Sequence, residues 1–408
     1  MNARPFATAL ALTGAFGASC GGENRGVISR GGAADAGTKR DGEAQNCPGV
    51  DTQSDPANCG ACFDSCPPIA LATAQSSPYG IAVDAANVYF TNNASGTVIK
   101  APIEGGPLIT IASGQEGPYG VAVDATNVYW TNNIGGTVIQ APLRGGPEVT
   151  LASNHIRPYA IAVDANNVYW SDGPSDAGGG MILQVPIGGG TVTTIASGQY
   201  GPDALAVDAT NVYWANTTGR RVMTVPIGGG TPVVLAGALS SPHGIAVDAT
   251  GVYWTDNQGG GKNEGKVMKV ALGGGTPVEL TSAQNDPHAI AVDATGIYWT
   301  NSGSPGSVMR LPLAGGTPTR IATDPSSAYA IAVQGTGVYW TSVPSVSSPG
   351  NAVMRFDTHS CQSGACACPS GNEVCGDTCV DTRVDSTNCG SCGTQCPAGA
   401  SCHAGVCQ

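Results

Sequence analysis

Asp203, His243 and His288 are the residues of this chain best suited to chemistry. One carboxylate and two imidazoles can bind a metal or move a proton. They stand about 40 residues apart, each two positions ahead of a short apolar run that ends in Asp: Leu205–Asp208, Ile245–Asp248 and Ile290–Asp293. The same position elsewhere in the chain holds Tyr79, Tyr119, Tyr159 and Tyr329. Four tyrosines beside three polar groups form an aromatic rim suited to a sugar, a peptide or a cation. The plain alternative is that all seven are solvated rim residues. His155, His359 and His403 lack such company, and the chain has no Walker phosphate loop or His-Glu-x-x-His pair. The seven residues are therefore assigned as binding residues, with no catalytic residue, no metal and no cofactor.

What positions them is a repeat. Tyr129-Trp130, Tyr169-Trp170, Tyr213-Trp214, Tyr253-Trp254, Tyr298-Trp299 and Tyr339-Trp340 recur at about 40 residues, with Tyr89-Phe90 as a variant first copy. All six Trp of the protein occupy this one position. Each copy holds four short β-rich runs broken by Gly, Pro, Asn and Asp, which is the spacing of a propeller blade. The Tyr-Trp pairs supply the core between blades. The turn Asp84-Ala85-Ala86-Asn87 and its equivalents end in Asn or Gly in every copy, which suits a left-handed backbone there. The seventh copy lacks a fourth run, and Ile69-Ala70-Leu71-Ala72 precedes the first. The reading is an all-β, seven-bladed β-propeller over residues 67–358, with Ile69–Thr73 closing the last blade so that no edge stays open.

The two ends of the blades differ. The loop between runs two and three is short at 92–97, longer at 172–180 and 256–266, and long at 342–351. The turn between runs three and four stays Gly-rich. The seven binding positions open on the variable face. Ile-Ala-Val-Asp followed by Val-Tyr-Trp-Thr resembles the YWTD and NHL propeller families, which usually have six blades. The resemblance implies the fold and leaves the function open, since such propellers serve as receptors, scaffolds and occasional lyases.

Of the fifteen Cys, fourteen remain when Cys20 is set aside as a lipidation position; they lie in two flanks, with none between Cys66 and Cys361. The C-terminal run, with Asn388-Cys389-Gly390-Ser391-Cys392 and Cys402-His403-Ala404-Gly405-Val406-Cys407, resembles the stigma-specific cysteine-rich family. A partial copy at 47–66 lacks the trailing pair, and Cys361 and Cys366 supply it beyond the propeller. One module then holds Cys47, Cys59, Cys62, Cys66, Cys361 and Cys366, and the second, at 368–408, holds eight Cys. A split of four and ten is also even. In the first arrangement at least one disulfide joins Cys47–Cys66 to Cys361–Cys366. In the alternative, each flank pairs within itself. The Cys-x-x-Cys pairs invite a zinc reading, but in an exported chain with this many Cys, disulfides are expected.

Residues 1–20 read as an export signal: one early positive charge, then a short apolar stretch ending at Gly17-Ala18-Ser19-Cys20-Gly21. This resembles the bacterial lipobox, with Cys20 lipidated and Gly17 where Leu is usual. Plain secretion is the alternative. Residues 21–46 are a polar tether. The net charge of −12 and the lack of any Lys/Arg cluster argue against a nucleic-acid partner. These features point to an exported binding or scaffold protein, either an outer-membrane or cell-surface lipoprotein or a secreted one. It contacts a membrane through its lipid anchor only, and the variable face takes an unknown glycan, peptide or protein. Two alternatives stand beside it. One is a lyase or hydrolase resembling streptogramin lyase, using Asp203, His243 and His288. The other is a structural envelope or matrix component.

Overall fold

The computed structural model describes residues 68–173, 178–257, 263–303, 305–324, 326–343 and 351–357, and in the C-terminal region 373–375, 378–380, 396, 401–403 and 406–407. The lipidation position Cys20, the cysteines of the first module, and Cys368, Cys389 and Cys392 of the second lie outside them. Every regular element described is a β-strand. The first copy forms an antiparallel sheet of Pro78–Val83, Asn87–Asn92, Thr97–Pro102 and Ile109–Ala112, in chain order. Five more four-stranded sheets repeat it, and the first strands of neighbouring sheets lie side by side around a closed circle. The seventh sheet takes Ser327–Gln334, Gly337–Val343 and Ala352–Asp357 from the end of the propeller and Ile69–Ala72 from its beginning. Ile69 stands opposite Arg355 and Ala70 opposite Met354, antiparallel. The seven-bladed propeller and its closing strand are as the sequence implied.

Each second strand is buried on both faces because its sheet is sandwiched between two others. The tyrosine of one blade packs with the tryptophan of the next: Tyr129 with Trp170 around Leu151 and Leu183, and Tyr213 with Trp254 around Leu235 and Leu239. All six Trp are fully buried. A buried indole N–H needs an acceptor, and the residue fifteen positions earlier supplies it. Gln115, Gln199 and Gln284 accept from Trp130, Trp214 and Trp299 at 2.9–3.0 Å, and the same amide oxygen accepts from Asn132, Asn216 and Asn301. In blade seven, Asp324 takes the Trp340 N–H at 2.8 Å. Blades three and five carry His155 and Leu239 at that place, and the Trp170 and Trp254 N–H groups have no partner.

The two kinds of turn are built differently. Between strands three and four, a Gly-Gly pair has φ of 81–88° and then 130–147° in six blades, which side chains resist; hence the constant Gly. Between strands one and two, the expected left-handed residue at the last position does not occur: Asn87 and its equivalents have negative φ, and the one left-handed Gly of these turns, Gly335 of blade seven, stands two positions earlier. Instead the Asp84 carboxylate accepts the Ala86 and Asn87 amides at 2.7 Å and the Tyr89 hydroxyl at 2.7 Å. Asp124, Asp164, Asp208, Asp248 and Asp293 make the same amide contacts with their turns. Burial pushes the Asp84 carboxyl up, but the Tyr89 hydroxyl and the two amides outweigh it and hold it below the ordinary carboxylate value. Where Gly does end this turn, the reason is space: a Cβ at Gly251 would stand 2.5 Å from the Val270 carbonyl oxygen.

Beyond the propeller, Glu373–Cys375 pairs with Thr378–Val380, and Cys402–His403 with Val406–Cys407. Cys396 is bonded to Cys407, and Cys402 is also in a disulfide.

Gln284→Leu strands two buried donors, on Trp299 and Asn301. It is expected to lower stability by about 2 kcal/mol or more, read by equilibrium urea unfolding of the disulfide-intact chain. A stability unchanged to within about 0.5 kcal/mol, the size of an ordinary surface substitution, would show that the amide clip carries no weight.

Candidate functional site: a seven-residue ring across the channel

The seven assigned residues sit at the start of the innermost strands, Tyr159 just ahead of its own. Threonine hydroxyls from five of the seven second strands hold the ring in place. Thr91, Thr131, Thr255, Thr300 and Thr341 each accept the amide that follows their own blade's ring residue, at 2.9–3.0 Å. Each then donates to the carbonyl of the next blade's ring residue, at 2.6–3.2 Å: Tyr119, Tyr159, His288, Tyr329 and, closing the circle, Tyr79. The backbones come so close that a Cβ at Gly120 would lie 2.5 Å from the Tyr159 carbonyl oxygen. Ser171 accepts the Ala160 amide at 3.0 Å but bonds no ring carbonyl, and Ala215 has no hydroxyl. The carbonyls of Asp203 and His243 are thus the two left without this clamp.

The tyrosines of the expected rim touch one another across the channel. At seven blades the channel is narrow enough for the side chains to meet. The Tyr119 hydroxyl bonds those of Tyr159 and, at 2.6 Å, Tyr329. The Tyr79 ring lies 4.9 Å from that of Tyr119 and edge-on to Tyr329 at 5.1 Å. Asp203, His243 and His288 are neighbours, as their place in successive blades required. Asp203 Oδ2 is 2.9 Å from His243 Nδ1, the two imidazoles stack at 5.4 Å, and His288 lies 4.0 Å from the Tyr329 ring. The seven side chains form a partition across the channel. On the variable-loop side is a pocket of about 330 Å³, floored by Tyr159, Asp203, His243, His288 and Tyr329 and walled by Arg157, Asn133, Thr217 and Thr218. On the other side is a space of about 190 Å³ between the innermost strands.

Three residues here escaped the sequence reading. Arg157 is exposed at the pocket wall with φ of 54°, where blades two and four have Gly117 and Gly201 in the same left-handed conformation. A charged residue in a glycine's place was the available signal. Thr217 lines the pocket and donates to the Pro242 carbonyl at 2.7 Å. His155, read as isolated, lies 2.6 Å from the Asp172 carboxylate and edge-on to Trp170. Among the described residues, no three His, Cys, Asp or Glu side chains are grouped to hold a metal ion.

Burial pushes the His288 imidazole down to about 4, against the opposing pull of the Asp203 charge and with a smaller push from His243. His288 is therefore neutral at pH 7, and its Nδ1 is buried without a partner. Burial, first, and their neighbours raise Tyr119 and Tyr329 well above the usual phenol range, so both stay protonated. Between pH 6.5 and about 4 the unfolded chain takes up a proton at residue 288 that the folded chain does not. Stability should fall as pH drops through that window, and His288→Asn should flatten the fall. Thermal unfolding from pH 7 to 4.5 checks this; equal slopes in both proteins would place the imidazole in water.

Residues 351–408 match the Stigma-specific STIG1-like protein family, a span that includes Cys361 and Cys366 as well as the eight later cysteines. No curated protein matches the chain in sequence. Among solved structures the chain is similar to the selenomethionine-substituted virginiamycin B lyase from Staphylococcus aureus, at 15% identity and a TM-score of 0.57, covering 69% of this chain and 94% of that one. A streptogramin B lyase gives 15% identity and 0.58 over 71% and 95%. A catalytically inactive histidine-to-alanine variant of the S. aureus enzyme with quinupristin gives 15% and 0.58 over 71% and 98%. At such identities the likeness is one of fold, and it agrees with the propeller read from the repeat.

Proposed function

We propose that this is an exported binding protein that takes a small polar ligand, of glycan or peptide type, in the pocket on the variable face. The observation that carries the reading is the pocket itself. Its volume of about 330 Å³ falls within the range of small-molecule sites. Its floor combines two aromatic rings, a carboxylate and two imidazoles, and its wall offers a guanidinium, an amide and two hydroxyls. Convergent polar groups over aromatic surface suit a ligand rich in hydroxyl or amide groups. Support for export comes from the lipobox-like sequence at Cys20, the Cys-rich flanks and the Cys396–Cys407 disulfide.

A lyase is the second reading. Asp203 orients His243 toward the pocket, which suits proton abstraction from a bound substrate. The fold neighbours include a lyase that loses its activity on a histidine-to-alanine change.

A glycan and peptide array probed with the full chain, followed by calorimetry, tests both. Arg157→Ala and His243→Ala should each weaken a pocket ligand about tenfold or more, roughly 1.4 kcal/mol, while Val233→Ala on an outer strand should not. A ligand indifferent to both pocket changes would move the site elsewhere. Recovery of the ligand intact after incubation supports binding; an elimination product that depends on His243 supports the lyase.

A further inference from the structure

Seven copies of one unit give this protein an internal control, and blade five departs from it beside His243. Four blades carry a Gln fifteen residues before the aromatic of the second strand; blade five carries buried Leu239 and leaves the Trp254 N–H unpartnered. Asp256, which ends the second strand where four other blades have Asn, turns its buried carboxylate onto the backbone. It accepts the Ser240 amide at 3.1 Å and the Ser241 amide at 2.7 Å. Ser77, Gly117, Arg157, Gly201 and Asp286, the residues two before the ring position in five other blades, are left-handed; Ser241, like Ser327 of blade seven, is not. Blade three also leaves its Trp N–H unpartnered and blade seven also lacks the left-handed turn, but blade five alone combines the two, which marks a site where local structure yields to something else.

What the rebuilt loop achieves is a chain of contacts. Ser241 Oγ lies 3.3 Å from His243 Nε2, and His243 Nδ1 lies 2.9 Å from Asp203 Oδ2. A carboxylate only accepts, so Nδ1 carries the ring proton, Nε2 is the acceptor, and the serine hydroxyl donates to it. Ser241 is partly exposed, beside a residue that floors the pocket. Nucleophile, base and orienting carboxylate are linked in the order acyl transfer requires, and the roles follow from geometry irrespective of chain order.

We propose that Ser241, His243 and Asp203 form a hydrolytic triad acting on a small carboxylic ester held in the variable-face pocket. It rests on that pocket being a ligand site. The Ser241 oxygen attacks the ester carbonyl carbon while its proton passes to His243 Nε2. The tetrahedral adduct collapses, the carbon–oxygen bond to the alcohol breaks, and the alcohol leaves with that proton. Water then attacks the acyl-serine by the same route and releases the acid. Ser241 and His243 are catalytic residues here, and Asp203 is a positioning residue.

The test is a fluorophosphonate probe on the full, disulfide-intact chain, read by intact mass and peptide mapping. One adduct on the peptide containing Ser241 is expected, formed as the hydroxyl displaces fluoride from phosphorus. Ser241→Ala should abolish it, and Asp203→Asn should slow labelling by about 10³–10⁴-fold by reversing the imidazole tautomer, with the melting temperature of each variant taken alongside. Mapping is done on the natural protein, so the outcome does not depend on any variant folding. No adduct, or an adduct at another residue, overturns the triad. A chain that binds its pocket ligand yet resists the probe loses the triad and keeps the binding reading; a chain that does neither loses both.

Discussion

The hydroxyl bridge between blades is the interaction on which the rest of this molecule depends. One threonine oxygen accepts an amide of its own blade and donates to a carbonyl of the next, so it ties adjacent sheets at their innermost point. The aromatic core gives the blades their cohesion, but apolar packing is non-directional and sets no height for the inner strands relative to one another. The bridge sets that height, and with it the level at which seven side chains enter the channel. That these side chains meet in one plane follows from the bridge as much as from the repeat.

The bridge is missing at Asp203 and His243, two of the three ring positions that are not tyrosine. Five clamped neighbours keep the ring level on either side. The same economy appears in the turns. The Gly-Gly face is invariant because its backbone tolerates little else, whereas the Asp-capped turns accept Ala, Thr or Asn at their centres because a side-chain carboxylate does the holding.

Much of this was legible in the sequence. The period, the strands, the closing role of Ile69–Ala72 and the adjacency of Asp203, His243 and His288 all follow from a unit that repeats in register. Three things were not. The diameter of the channel is a property of the closed ring, so no single copy shows whether Tyr79, Tyr119, Tyr159 and Tyr329 stand apart or touch. The turn ending at Asn87 was read from its last residue, when the carboxylate of its first, Asp84, decides its shape. The residue fifteen before each Trp was visible as Gln115, Gln199 and Gln284, but a polar residue near the end of a strand reads as solvated unless its buried partner is known. Ser241 was hidden for a further reason: its neighbours resemble the ordinary Ser-Ser-Pro of blade one, where Ser77 has the opposite backbone hand.

The pairing of Ile69–Ala72 with Ala352–Asp357 also sets the order in which the molecule can form. The strand is the first of the propeller to leave the ribosome and its partner comes after six complete blades, so its backbone groups must wait through nearly the whole of synthesis. Such a non-local contact is slow to form, because loop closure comes before any reward. Until then the apolar segment Ile69-Ala70-Leu71-Ala72 and the open edge at Ala352–Asp357 are two free sticky ends. In a crowd of nascent copies each end can find its complement on another chain, which yields strand-exchanged oligomers in place of closed rings. A cell that makes this protein therefore has to keep the unfinished chains apart until the last blade is made.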